Sequence, residues 1–370
     1  MRCRSIRGAE PPVRTSLALL VRTSLALPVC TSLALLVRTS LALLACVAWV
    51  LVSSGCARAP RQLLDTTVDG GSELRWLAGD SLIAVALLGR GVAIVSAADG
   101  EERAAWRMPT LPPHAAHGLA ASAGGETLAV AADDSVHVLR ARDGVQLMAA
   151  PGGGLVLALS ADGRELAWGD GTFGRILSTD DGRVLGQGSL PAGRNGLTWW
   201  SGGRAFVWTN GRELLFTAPD RGPRSGPDTT SFSAGDRAPP RSLGPFMDAL
   251  PTELTFSGNG RTLAVAESTE YVSFWDTHQR RMLWRLKLSG RARFERMAFS
   301  ADTWYLATAH EGRARIVWAY TGHTVSDWTP HLGAAVRDLA FSNDGRRLAT
   351  VGADGHLRVW AVPPARAERR

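Results

Sequence analysis

The sequence predicts an all-β fold in which a four-stranded antiparallel unit is repeated seven times. Two observations carry that expectation. Phe256, Phe299 and Phe341 recur at intervals of 43 and 42 residues, and Trp275, Trp318 and Trp360 recur at the same intervals, so separate landmarks keep one register. Between the landmarks lie small-residue turn signals and short runs of alternating apolar residues, the pattern of strands joined by tight hairpins.

Taken from its start, the chain first shows a leader, residues 1–55. These hold six Arg and one Glu, a net of +5, so only +2 of the formal +7 belongs to everything after residue 55. The folded part is close to neutral, and no basic face for nucleic acid is predicted. The octapeptide VRTSLALL or a close variant begins at Val13, Val21, Val29 and Val37. Eight residues fit neither a helical nor a strand packing unit, so a duplicated stretch of coding sequence explains the copies more simply. The last copy leads through Arg38 and the apolar run Leu41 to Val52 into Ser53-Ser54-Gly55-Cys56. A positive start, an apolar core and small residues before a cut are the parts of a secretory signal. The functional signal is placed at 37–55 and a short tether at 56–60. All four cysteines, Cys3, Cys30, Cys46 and Cys56, lie in the first 56 residues, which leaves none for a disulfide or thiolate metal site beyond them.

The segment ending at Cys56 resembles a bacterial lipoprotein signal, with Ser53 where that family usually has Leu. The resemblance implies diacylation of Cys56 and attachment to a membrane without a spanning helix, on the periplasmic or extracellular face of the envelope. The competing reading is an uncleaved transmembrane anchor. Arg22 and Arg38 break the leader into apolar pieces shorter than the roughly 20 residues a span needs, which weighs against it.

The repeated units occupy residues 61–362. In the last one, a first strand ends at Phe341-Ser342 and Asp344-Gly345 supplies a hairpin turn. A second strand is expected at Arg347 to Val351, a turn at Asp354-Gly355, and a third strand through Leu357 to Trp360. The fourth strand falls in the linker to the next copy, as in Met282 to Leu288. Weaker copies extend backwards, with equivalent small residues at Ala78, Ser122, Ser160, Ser201, Ser257, Ser300 and Ser342. One interval, from Ser201 to Ser257, is long, and it contains the Pro-, Gly- and Ser-rich insertion 219–241, read as a tolerated surface loop before a binding loop. The last unit lacks a fourth strand of its own, because the tail 363–370 is Pro-rich, charged and expected to be disordered. Arg61 to Val68 is therefore expected to complete it and close a ring, since an open ring leaves sheet edges bare.

These landmarks resemble the WD-repeat family over residues 61–362. The resemblance implies a seven-bladed β-propeller in which a turn Asp and a strand Trp share a hydrogen-bond network. Asp354 and Trp360 have that spacing, Trp275-Asp276 keeps the dipeptide, and Trp318 stands at the same interval. His331 is the nearest equivalent of the His that usually opens a repeat.

Three residues before the aromatic landmark, successive units carry Glu253, Arg296 and Asp338, while earlier ones carry Val156 and Leu197. If those strands line a central channel, the three make an acid, base, acid series. Mutual pairing is the plainer reading, and a small polar ligand site at the channel mouth is the alternative. His114 and His117 look like half a metal site, but no acidic or Cys cluster completes a ligand set. Nucleophile-elbow, phosphate-loop and zinc-protease motifs are not found in the sequence.

The expected function is that of a membrane-tethered, exported, non-catalytic scaffold that binds an unidentified protein or envelope polymer, with no cofactor. The alternative is an exported propeller enzyme, lactonase-like or quinone-dependent, with its site in the channel. A cytoplasmic scaffold would require the leader not to act as a signal.

Overall fold

The computed structural model describes residues 59–107, 118–132, 135–152, 156–169, 173–189, 197–200, 205–210, 213–217, 251–267, 271–279, 281–287, 294–310 and 312–364. The leader, Cys56, His114, His117 and the insertion 219–241 lie outside them.

The strands follow the predicted rhythm. Blade one consists of β2 (Gly71–Trp76), β3 (Leu82–Leu87), β4 (Gly91–Ser96) and β5 (Glu102–Arg107). Blade two follows as β6 (Leu119–Ala121), β7 (Thr127–Ala132), β8 (Ser135–Arg140) and β9 (Gln146–Pro151). Blade three is β10 (Val156–Leu159), β11 (Glu165–Gly169), β12 (Phe173–Ser178) and β13 (Val184–Ser189). The fourth unit holds β14 (Leu197–Trp200), β15 (Ala205–Asn210) and β16 (Glu213–Thr217). Blade five is β17 (Pro251–Phe256), β18 (Thr262–Glu267), β19 (Tyr271–Asp276) and β20 (Arg281–Lys287). Blade six is β21 (Phe294–Phe299), β22 (Tyr305–His310), β23 (Arg313–Trp318) and β24 (Thr324–Trp328). Blade seven is β25 (Val336–Phe341), β26 (Arg347–Gly352) and β27 (His356–Ala361), completed by β1 (Gln62–Thr67).

Six of these sheets are four-stranded antiparallel blades, where the sequence led to an expectation of seven. The fourth unit has three strands among the described residues, and the residues between Thr217 and Pro251, the long interval of the sequence, lie outside them. The segment expected to close the last blade does so: β1 pairs antiparallel with β27, Leu64 facing Val359 and Thr67 facing His356. Innermost strands β2, β6, β10, β14, β17, β21 and β25 neighbour one another in turn, and β25 returns to β2.

The core sits between sheets. Each buried cluster is shared by two consecutive units; Ile83, Val85 and Val95 of blade one, for example, pack with Val351, Leu357 and Val359 of blade seven. The second strand of each blade is buried on both faces, which is why it reads as an apolar run and not as an alternation. Ile83, Leu128, Leu166, Leu263, Leu306 and Leu348 occupy one position in six blades, and all are 0% exposed.

The recurrent Ser has a local cause. Ser160, Ser257, Ser300 and Ser342 each donate Oγ–H to an Asp or Asn two residues on and accept the backbone N–H five residues on. The turn that follows needs a positive φ at one position. Gly125, Gly163, Gly260 and Gly345 supply it, but blade one has Asp80 there and blade six has Thr303, at φ 55° and 67°. A β-branched residue in that region stores roughly 1–3 kcal/mol of strain.

The register also corrects one landmark. Trp275 faces Leu263 and Trp360 faces Leu348, but in blade six Val317 faces the equivalent Leu306 and Trp318 faces Tyr305. Here His310, the last residue of β22, faces Arg313, the first of β23, so the partner strand is shifted by one position. One step turns a side chain to the other face of the sheet, and Trp318 leaves the position that Trp275 and Trp360 hold.

Candidate functional site

The structure brings Glu253, Arg296 and Asp338 together at the inner strands of blades five, six and seven. Arg296 lies between the acids, Nη1 3.9 Å from Glu253 Oε2 and Nε 3.6 Å from Asp338 Oδ1. Two further residues extend the series. Arg75 Nη1 donates to Asp338 Oδ2 at 2.7 Å, and Arg75 Nη2 stands 3.8 Å from Glu73 Oε2. Five charges of alternating sign thus run from Glu253 through Arg296, Asp338 and Arg75 to Glu73.

Backbone irregularities place them. β17, β21, β25 and β2 each shift register immediately before Glu253, Arg296, Asp338 and Glu73 respectively. A bulge re-aims the side chain that follows it, here toward the next inner strand. Inner strands have one edge without a sheet partner, and a buried amide without an acceptor is costly. The carboxylates supply acceptors: Glu73 takes the N–H groups of Gly118 and Leu119 at 2.8 and 2.9 Å, and Asp338 takes that of Leu74 at 2.9 Å. Glu253 accepts from Met297. Each acid therefore ties its own blade to the next.

Burial governs their protonation. Glu73 and Glu253, 2% and 9% exposed, are pushed up to about 7 by loss of solvent, which the neighbouring guanidiniums only partly offset. Burial works to lower the pKa of Arg75, but the Asp338 and Glu73 carboxylates outweigh it and hold it above its ordinary value. A cavity of about 420 Å³ lies against this charged side, with Leu157, Leu197 and Trp199 opposite. The arrangement can clasp inner strands and can hold a proton near neutrality.

Glu73 and Arg75 were not singled out in the sequence. A signal existed: Trp76 ends β2 where later units have Phe, and Glu73 stands three residues before it, the spacing of Glu253, Arg296 and Asp338.

The second constellation lies in blade seven. Trp360 Nε1 donates to Thr350 Oγ1 at 3.0 Å, Thr350 Oγ1 is 3.0 Å from His331 Nε2, and His331 Nδ1 is 2.8 Å from Asp354 Oδ1. An indole can only donate, so Thr350 Oγ1 accepts from Trp360, and His331 Nδ1 is met both by Asp354 and by Arg358 Nη1 at 2.5 Å. Burial holds the fully enclosed His331 below its ordinary pKa against the pull of Asp354. Burial would raise Asp354, but the hydrogen bond from Arg358 keeps it below the usual carboxylate range. Elsewhere the pattern is different. Trp275 Nε1 donates to Ser273 Oγ at 2.9 Å, Asp276 caps its turn by accepting the N–H groups of His278 and Gln279 at 2.8 Å, and Trp318 packs against Tyr305 and Trp304.

Among the described residues, no cluster of three or more His, Cys, Asp or Glu is placed to hold a metal ion, and no helix is long and apolar enough to cross a membrane.

Comparison with known proteins bears on the fold and on one repeat. Residues 317–361 match the family described as WD domain, G-beta repeat. The β-propeller domain of Myceliophteria thermophila Cps50 (Swd1) superposes with a TM-score of 0.66 at 13% identity, over 82% of this chain and 100% of that one. A chain of the Mitotic Checkpoint Complex superposes with a TM-score of 0.62 at 16% identity, over 82% of this chain and 96% of that one. No curated protein matches the sequence. At these identities the likeness establishes the fold: the chain is a β-propeller, and its C-terminal unit matches the WD repeat.

Proposed function

We propose that this chain is an exported propeller, tethered to a membrane through a lipid on Cys56, that serves as a non-catalytic scaffold for a protein partner. The observation that carries it is the use made of the inner charges. Glu73, Glu253 and Asp338 each accept a backbone amide of the next inner strand, so the residues best suited to chemistry hold the ring together. A rigid ring with loops at its ends is a recognition framework, and the match to the WD repeat and the likeness to a chain of a multiprotein complex agree with it. The seven-unit count, with the fourth unit completed from residues beyond Thr217, belongs to the same proposal. The tether rests on the leader pattern ending at Cys56. Radiolabelled palmitate should enter the chain and be lost in Cys56→Ala. Crosslinking in membranes should then join the propeller to a protein, and label that survives Cys56→Ala refutes the tether.

A second reading, an exported propeller enzyme, is favoured by one observation: the Glu253 carboxyl, pushed up to about 7 by burial, lines the channel cavity. Arg296→Met tests it, because loss of small-molecule binding with an intact fold would favour a site in the channel.

A further inference from the structure

We propose that the turn end of blades six and seven rests on a lipid bilayer, with Trp304 and Tyr320 seated among the headgroups. The proposal deepens the lipid tether at Cys56 and rests on it.

In a four-stranded meander the turns joining strands one to two and three to four lie at one end of the blade. Trp304 stands in the turn between β21 and β22, and Tyr320 in the turn between β23 and β24, so both belong to that end. They are 48% and 51% exposed, with ring centroids 5.7 Å apart. Other blades differ at these positions. Where blade six has Trp304, blades three, five and seven have Arg164, Arg261 and Arg346, all exposed; where it has Tyr320, blades two, three and five have Arg142, Asp180 and His278. Blades one and two carry Ser81 and Glu126 at the Trp304 position, so the exposed aromatic pair is particular to blade six at a turn end of mixed charge. Thr303 sets this corner in a backbone conformation that glycine normally fills, and its hydroxyl lies 3.1 Å from Tyr320 Oη. Strain of that kind persists where the surroundings enforce it.

The chain ends meet at the same corner. Ala361 N–H donates to Arg61 O at 2.8 Å, Val362 N–H to Arg346 O at 2.8 Å, and Tyr305 Oη–H to Pro363 O at 2.9 Å. Cys56 precedes Arg61 by five positions, a reach of at most about 17 Å in extended chain. A lipid on Cys56 would therefore be joined to the propeller at this corner by a short stretch of chain. Exposed Trp and Tyr are what the headgroup region favours, and the corner that holds them carries both signs of charge, Arg61 and Arg346 with Asp302 and Asp344. In this orientation the opposite end, with exposed Leu88 and Leu332, faces away from the membrane toward a partner.

The test uses the full chain purified from membranes and placed in vesicles of phosphatidylethanolamine and phosphatidylglycerol brominated near the headgroup end of the acyl chains. Its tryptophan emission should be quenched, and Trp304→Phe should lose most of that quenching while keeping the native near-ultraviolet circular dichroism. Tyr320→Ser should reduce quenching without removing a fluorophore, and Leu88→Ala should leave it unchanged. Quenching that is absent, or is equal in wild type and Trp304→Phe, overturns the membrane-facing surface. The mass of the N-terminal peptide separates the two readings: an unacylated Cys56 with Trp304 still quenched sinks the tether and keeps the surface, whereas an acylated Cys56 without quenching does the reverse.

Discussion

Replacing Glu253 by Gln should change how stability depends on pH more than it changes stability at acid pH. Gln keeps a carbonyl acceptor for the Met297 amide and removes the titration. In the wild type, burial raises the carboxyl from 4.5 in the unfolded chain to about 7 in the fold. The native state therefore binds a proton that the unfolded state releases across that window, so this group's stabilising contribution is complete below 4.5 and is lost as pH rises to about 7. At about 1.4 kcal/mol for each pKa unit, the wild type loses about 3 kcal/mol from Glu253 across the window, and the variant does not. Urea denaturation of both proteins at about pH 5 and about pH 8 reads the difference directly, as a midpoint gap that moves in favour of the variant at the higher pH. Parallel stability curves across that range would refute the claim that Glu253 is buried as an acid that must ionise inside the fold.

Thr350→Val should leave the Trp360 indole N–H and His331 Nε2 without their shared partner and cost about 2–4 kcal/mol, seen as a lower thermal midpoint. Gly89 and Gly144 both have positive φ, but a Cβ at Gly89 meets nothing within 4 Å, whereas one at Gly144 would stand 2.2 Å from Trp106 Nε1. Gly89→Ala should thus cost about 1 kcal/mol and Gly144→Ala roughly 2–4 kcal/mol; equal losses in denaturant titrations would contradict the packing of Trp106 on that turn. Removing residues 57–68 takes away β1 and exposes the edge of β27, together with the contacts of Asp65 to His356 and Arg358. The whole propeller should then unfold at lower denaturant in one step, and an unchanged transition would show that the ring does not depend on this closure.

The all-β class, the blade period and the turns after the first strand were legible in the sequence because each depends on local spacing, and the closing role of Arg61 to Val68 was legible because the last unit lacks a fourth strand of its own. A Ser that caps a turn five residues long, or a second strand buried on both faces, leaves its mark within a dozen residues. What lay beyond that range had to come from tertiary structure. Trp318 keeps the interval of Trp275 and Trp360, yet the pairing of His310 with Arg313 moves its strand by one step, and no count of residues between landmarks records which partner a strand chooses. Arg75 and Glu73 join Asp338, Arg296 and Glu253 only because the ring brings the first inner strand beside the last, across more than two-thirds of the chain. The near-neutral protonation of Glu73 and Glu253 likewise follows from water excluded by neighbouring strands. Sequence periodicity thus determined what each blade is made of, while closure of the ring decided which charges meet, because contact between distant strands is a property of the assembled circle.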